Sequence, residues 1–242
     1  MSYREAPSAP RLRHLVAAYW AIDPEDAPEG DCRRILPDGC ADLICDIGDA
    51  TLRARWVGTM TCAVLVPMRV GQALFGIRFA SGGLFPLLGV PLSELVDTSV
   101  DIADLPARHW RPPLEPWRDA PNFAARCVLA DTSLEAALRS VDDNGLTALL
   151  HDMRRAAVLP TVAMLSRQSG LGVRSLQRRF LESLGVSPRQ HLRYLRFERV
   201  RRMLETRSGR AVDVALAAGY SDQAHFVREF ARFAGVTPGR WR

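Results

Sequence analysis

The sequence predicts an α+β chain in two units, an antiparallel β-barrel or sandwich with trailing helices and then an all-helical unit. Three observations predict it. The chain has 242 residues, more than one domain usually holds. Its hydrophobic period changes from two in the first part to helical in the last. Its charge also changes sign: residues 1–150 carry 14 arginines against 20 acidic residues, a net of −6, whereas residues 151–242 carry 18 against 7, a net of +11. A segment that basic suits a polyanionic partner. All 32 basic residues are arginine, which reads as genome composition rather than binding chemistry.

In the first unit, Leu43, Cys45 and Ile47 alternate with Ile44 and Asp46, and Leu52, Ala54 and Trp56 with Arg53 and Arg55. Ala73, Phe75, Ile77 and Phe79 alternate with Leu74, Gly76 and Arg78. Pro37-Asp38-Gly39, Gly48-Asp49 and Ser81-Gly82-Gly83 punctuate these runs, as turns between antiparallel strands do. Helical patterns follow at 84–95, 116–129 and 133–141. Asp142, Asp143, Asn144 and Gly145 then mark a boundary, giving units of 1–144 and 145–242.

The basic unit contains an internal repeat. Leu176, Arg178, Phe180, Gly185, Val186 and Pro188 recur as Phe226, Arg228, Phe230, Gly235, Val236 and Pro238; Leu165, Ser166 and Gly170 recur as Val214, Ala215 and Gly219. Each copy reads as a short helix, a glycine turn and a second helix, over about 160–184 and 211–233. In the first copy Pro160 suits an opening turn and Val162, Leu165 and Ser166 face inward. Leu176, Phe180 and Leu184 then form an apolar stripe, leaving Arg174, Gln177, Arg178 and Leu181 on the other face. In the second copy Val212, Ala215 and Leu216 precede the turn and Ser221 is the expected N-cap. Phe226, Phe230 and Phe233 face inward there, and Gln223, Ala224, Val227 and Arg228 outward. Residues 188–205 link the copies with Leu192, Leu195, Val200, Met203 and Leu204 at helical spacing; such a rod is about 27 Å long, against roughly 34 Å for a turn of B-DNA.

A helix held by its aromatic side and offering Arg and Gln from its first turns fits the major groove, where Arg bonds guanine and Gln adenine. The alternative for a single copy is a solvated face with Arg178 paired to Glu182. Two matching copies on a basic segment favour the groove.

Gly170-Leu-Gly-Val-Arg-Ser-Leu-Gln-Arg-Arg-Phe180, Gly185-Val-Ser-Pro188, Arg196-Phe197, Gly219-Tyr-Ser-Asp-Gln-Ala-His-Phe-Val-Arg-Glu-Phe230 and Gly235-Val-Thr-Pro238 resemble the AraC/XylS family of transcriptional regulators. The resemblance spans about 145–242. It implies a seven-helix domain whose two recognition helices enter adjacent major grooves of double-stranded DNA. By position it assigns base contacts to Arg174, Gln177, Arg178, Gln223, Ala224 and Arg228. Ser175, Ser187, Ser221, His225 and Thr237 are further candidates for DNA contact. Ser187 and Thr237 can equally cap the helices they precede, and His225 can be a half-buried packing residue. Gly172 stands where the family usually has a capping Ser, a change that costs only a few tenths of a kcal/mol. Ala224 offers a base at most an apolar contact, so the first unit is expected to supply more of the discrimination.

The Leu36-Pro37-Asp38-Gly39 turn and the Gly76-Ile77-Arg78-Phe79 strand resemble the cupin-like sensor domains that precede the DNA-binding half in many of these proteins. That resemblance implies a small-molecule effector inside the β unit and a homodimer contact on the later helices, with RNA polymerase as a partner if the protein is an activator. Trp20, Asp38, Trp56 and Arg78 are candidate pocket residues, each also accounted for as core or rim.

No run of about 18 apolar residues appears and the start lacks the order of a signal peptide, so a cytoplasmic protein without membrane partner is expected. The five cysteines, Cys32, Cys40, Cys45, Cys62 and Cys127, contain no CxxC. A thiol or metal sensor and a zinc-thiolate DNA alkyl-repair protein remain the alternatives, the second weakened by the lack of a close cysteine pair. His14 is the only histidine before His109, which disfavours a metal-dependent cupin enzyme. Without HExxH, P-loop, GxGxxG or GxSxG motifs, the expectation is no enzyme, no cofactor and no metal.

Overall fold

Eight strands build the first unit of the computed structural model, which describes residues 3–23, 32–48, 51–69, 71–138, 146–206, 215, 218, 220 and 222–241. They are β1 (Tyr3–Ala6), β2 (Val16–Ile22), β3 (Cys32–Ile35), β4 (Ala41–Asp46), β5 (Arg53–Val57), β6 (Val64–Pro67), β7 (Leu74–Phe79) and β8 (Ser99–Asp101). Six form one antiparallel sheet in the order β1-β2-β7-β4-β5-β8, and β3 pairs separately with β6. The period-two runs at β4, β5 and β7 are thus strands, in two antiparallel sheets.

Alternation divides the large sheet into two faces. Tyr19, Leu43, Cys45, Trp56, Phe75, Ile77 and Phe79 lie on one, fully buried with Trp110 and Trp117. The helices α1 (Phe85–Leu88), α2 (Leu114–Asp119) and α3 (Phe123–Leu138) cover that face. On the opposite face Trp20, Ile22 and Leu74 form a small cluster with Met68 and Ile44. Of the expected pocket residues, Trp56 belongs to the core, its indole N–H donating to the Leu105 carbonyl at 2.9 Å. Trp20, Asp38 and Arg78 do meet, but around Asp42: the Trp20 indole donates to Asp42 at 2.9 Å, and Arg78 Nε lies 3.0 Å from Asp38 and 4.0 Å from Asp42. Burial, then the Asp38 charge, pushes the Asp42 carboxyl up to about 7 against the pull of Arg78.

The helix boundaries after the sheet differ from expectation. The 84–95 pattern resolves into α1 and a 3₁₀ turn at Leu92–Glu94, and no break separates Leu129 from Ser133. Asp131, Thr132 and Ser133 sit inside α3 because each polar side chain has a partner. Asp131 accepts from the Ala9 N–H and the Tyr19 hydroxyl, while Thr132 and Ser133 donate back to the Val128 and Ala130 carbonyls.

The second unit contains α4 (Leu146–Arg155), α5 (Val162–Gln168), α6 (Val173–Leu184), α7 (Pro188–Thr206) and α8 (Gln223–Ala234), then a 3₁₀ turn at Pro238–Arg240. The expected boundary at 142–145, and all of the expected first helix of the second copy except Ala215 and Ala218, lie outside the described residues. Leu150, Leu165, Phe180, Phe197, Val200, Phe226 and Phe230 share a continuous core.

The two units are joined by more than chain connectivity. Arg154 of α4 donates to the Asp38 carbonyl at 2.9 Å and lies 3.4 Å from Ser81 Oγ, while Thr59 donates to the Leu184 carbonyl at 2.7 Å. Two glycines with left-handed backbone make the approach feasible. At Gly39 (φ 69°) a Cβ would sit 2.6 Å from the Tyr194 ring, and at Gly185 (φ 79°) 2.6 Å from the Leu92 carbonyl oxygen. The space left beside Gly39, His191 and Tyr194 is about 20 Å³, room for one water. His191 is buried there between Phe180 and Tyr194, and burial lowers its pKa to about 3, so the ring stays neutral. Arg154→Met, which keeps the stem but removes the charged donor, is expected to destabilise the chain by about 1–2 kcal/mol in urea denaturation; the far-ultraviolet circular dichroism should not change.

Candidate nucleic-acid interface

The second helix of the first copy is α6. The turn before it is set by α5, whose N-cap Thr161 accepts from the Met164 N–H at 3.2 Å, and by Ser166, which donates to the Leu171 carbonyl at 2.5 Å. Leu176, Phe180 and Leu184 are fully buried on the inward stripe. Arg174, Gln177 and Arg178 project from the exposed face and Ser175 is half-buried. Arg178 Nε is 3.8 Å from Glu182, an ion pair too long for a hydrogen bond, and Arg178 remains 73% exposed. Arg174 and Gln177 have no hydrogen bond or ion pair among the described residues. Gly172 is the N-cap and offers no side-chain oxygen.

The second helix of the second copy is α8. Its N-cap is Asp222, whose carboxylate accepts from the His225 N–H at 2.6 Å. Ser221, the expected cap, lies outside the described residues. Phe226 and Phe230 are buried, while Gln223, Ala224 and Arg228 are exposed and Val227 is half-buried. His225 is half-buried, edge-on to Tyr220 with ring centroids 5.6 Å apart and 3.6 Å from Glu229.

Both helices rest on α7. Phe180 meets His191 edge-on at 6.0 Å, and Phe197 stacks on Phe233 at 5.0 Å and meets Phe230 at 5.3 Å. The sequence gives no sign of the polar tie between α7 and α8. Glu229, 2% exposed on the inward side of α8, accepts from Arg193 at 2.5 Å and from the Tyr220 hydroxyl at 2.8 Å. Burial, followed by Glu229, raises the Tyr220 pKa well above its ordinary value, so the phenol stays a donor. Arg196 lies over the same ring at 5.4 Å. A buried carboxylate between phenylalanines is indistinguishable in sequence from a solvated one; only an arginine 36 positions away gives it a reason.

Ser187 and Gln190 form a reciprocal cap at the start of α7. The Ser187 hydroxyl accepts from the Gln190 N–H at 3.2 Å, and the Gln190 side-chain oxygen accepts from the Ser187 N–H at 3.1 Å. Capping, the alternative to phosphate contact, thus occupies the Ser187 N–H. Thr237 is exposed at the start of the final 3₁₀ turn and makes no side-chain cap. The outward residues of α6 and α8 stay exposed, and the β unit touches the C-terminal ends of both helices, at Gly185 and Gly235. Among the described residues no group of three or more His, Cys, Asp and Glu side chains is placed to hold a metal ion, and no helix is long and apolar enough to cross a membrane.

The helix pair α5–α6 and the helix α8 flanking one connecting helix, with arginine and glutamine exposed on α6 and α8, suit a DNA-binding module. Comparison with known proteins agrees. Residues 165–242 match a family described as a helix-turn-helix domain, and residues 4–101 match a domain of unknown function, DUF6597. The HTH-type transcriptional activator RhaR of Klebsiella pneumoniae is 31% identical over 113 residues, which cover 47% of this chain and 38% of that protein. The HTH-type transcriptional regulator ExsA of Pseudomonas aeruginosa is 34% identical over 77 residues, covering 32% and 28%. The chain therefore spans well under half the length of these curated relatives. A solved transcriptional regulator from Chromobacterium violaceum, titled as an AraC-type DNA-binding domain protein, is 28% identical over 40% of this chain and 88% of that one, with a TM-score of 0.38. ToxT of Vibrio cholerae aligns over 100% of this chain and 98% of its own at 12% identity and a TM-score of 0.42. The C-terminal part of the chain is thus similar to the helix-turn-helix domains of HTH-type transcriptional regulators.

Two substitutions test this architecture. A Cβ at Gly172 would meet nothing within 4 Å. Gly172→Ser should therefore add a cap and stabilise the chain by a few tenths of a kcal/mol, seen as a small rise in the denaturation midpoint. Glu229→Ala strips Tyr220 and Arg193 of their shared acceptor and should cost about 1–3 kcal/mol in the same assay.

Proposed function

We propose that the protein is a sequence-specific regulator of transcription that binds double-stranded DNA through α6 and α8 and responds to a small effector held by the β unit. The observation that carries this reading is the uncovered pair of outward faces, Arg174, Gln177 and Arg178 on one helix and Gln223, Ala224 and Arg228 on the other, each backed by a buried aromatic stripe. A buried back fixes the helix, and free guanidinium and amide groups on its front are the donors that read base edges. Residues 1–144 are the effector-binding and dimerising unit on this reading, and 145–242 the DNA-binding one. Homodimer formation uses the helices behind the sheet, and RNA polymerase is a partner where the protein activates. The relatives named as regulators and activators support the reading, as does the +11 charge of residues 151–242.

Cysteine burial supports an effector over a thiol-based signal. Cys40, Cys45 and Cys127 are buried, and burial raises all three thiols, Cys127 to about 11, opposite to the shift that activates a sensor thiol. The exposed Cys32 and Cys62 lie on β3 and in the loop before β6.

The test is a gel-shift titration with the DNA upstream of the protein's own gene. Arg178→Ala and Arg228→Ala should each weaken binding by about 1–3 kcal/mol. Arg178→Ala is expected to relax discrimination more, because Ala224 leaves the second face poorer in hydrogen bonds. Unchanged affinity in both variants would overturn the assigned reading faces.

A further inference from the structure

The large sheet has a second face, and the small sheet lies beside it. Between them is a cleft of about 340 Å³ lined by Ile44, Asp46, Arg53, Arg55, Val66, Pro67, Arg69 and Gln72, a volume within the range of small-molecule sites. We propose that this cleft binds a small organic carboxylate, with the anionic head on Arg53 and Arg55 and an apolar body against Ile44, Val66 and Pro67. The inference rests on the reading of the β unit as effector-binding, and it names the effector's chemical class.

Charge accounting in the cleft carries the argument. Asp46 is its single acidic residue, and it is already paired, with Arg69 at 2.7 Å. Arg53 and Arg55 are left without a hydrogen bond or ion pair among the described residues. Both cross-strand acids are directed elsewhere: Asp46 stands opposite Arg53 in β4 but its carboxylate pairs with Arg69, and Asp101 stands opposite Arg55 in β8 but its carboxylate accepts from the Ala103 N–H at 2.9 Å. The two arginines are one residue apart on β5, so their side chains leave the same face of the sheet, where planar forks can grip a carboxylate. A further cation belongs to the small sheet. Arg33 of β3 pairs directly with Val66 and so shares the face of the small sheet that Val66 presents, and its buried Nε has no hydrogen-bond partner. An anionic, acceptor-only ligand matches both the donors and the charge of these arginines; a cation does not.

The cleft's wall also reaches the DNA-binding unit. A Cβ at Gly235, in the turn that ends α8, would lie 3.4 Å from Ala63 beside β6 and 3.7 Å from Arg34 of β3. The strand pair that walls the cleft therefore abuts the turn that ends α8.

The experiment is isothermal titration of the full chain with hexanoate and 3-phenylpropanoate, each against its neutral amide, and with acetate. At least one of the two carboxylates should bind about tenfold or more tightly than its amide and than acetate. The double variant Arg53→Gln with Arg55→Gln should lose that tenfold preference while its amide affinity holds. Both side chains are exposed, and an unchanged thermal midpoint of the free variant verifies the fold. Binding of neither carboxylate, equal binding of acid and amide, or an unaffected double variant overturns the proposal. Gel shift of the ligand-free chain on the same preparation separates the two readings: DNA binding without carboxylate binding overturns the cleft assignment alone, and carboxylate binding without DNA binding overturns the regulator reading alone.

Discussion

Everything the C-terminal unit presents to solvent depends on the burial of α7 between its two neighbours. A recognition helix of 12 residues is marginal in isolation, since its hydrogen bonds barely offset the backbone entropy of ordering it. α6 and α8 are held because α7 offers each of them a ring surface, His191 on one side and Phe197 on the other. Fully burying a phenylalanine contributes roughly 1.5–3 kcal/mol, so Phe180, Phe226 and Phe230 outweigh any contribution from surface pairs such as Arg178 with Glu182. The outward residues are then free of structural duty and available for a partner.

The polar tie between Glu229 and Arg193 acts differently. Desolvating a carboxylate is costly, and a buried pair often adds little net stability over apolar side chains of the same shape. Its value lies in direction. A stripe of phenylalanines tolerates rotation and sliding, whereas a carboxylate bound to Arg193 and the Tyr220 hydroxyl accepts one rotation of α8 on α7. In the first copy the C-terminal end of α6 is braced by the β unit, through Thr59 on the Leu184 carbonyl and Leu92 beside Gly185. The two copies are therefore alike in sequence pattern but held by different means.

What the sequence revealed follows from the range of the interactions involved. The repeat, the aromatic stripes and the outward Arg and Gln positions are periodic within one helix, and periodicity survives in one dimension. β4, β5 and β7 were legible for the same reason. β2 was not: Val16–Ile22 is buried on both faces, Tyr19 in the main core and Trp20 and Ile22 in the second cluster, so no alternation marks it. β3 and β6 are four-residue strands whose pairing spans a long stretch of chain. The continuous α3 was missed because its polar residues at 131–133 resemble a loop until Tyr19 and Ala9 supply their partners. The contact of Arg154 with the turn at Asp38 joins residues 116 apart, and nothing local announces it.

The central claim, that two heads on a common rod engage one face of DNA, is tested most directly by hydroxyl-radical footprinting of the full chain on its target. α7, at 19 residues about 28 Å long, predicts two protected segments spaced by roughly one helical turn, about 10 base pairs. Arg228→Ala should erase one segment and spare the other. A single contiguous footprint, or equal loss of both segments, would contradict the account.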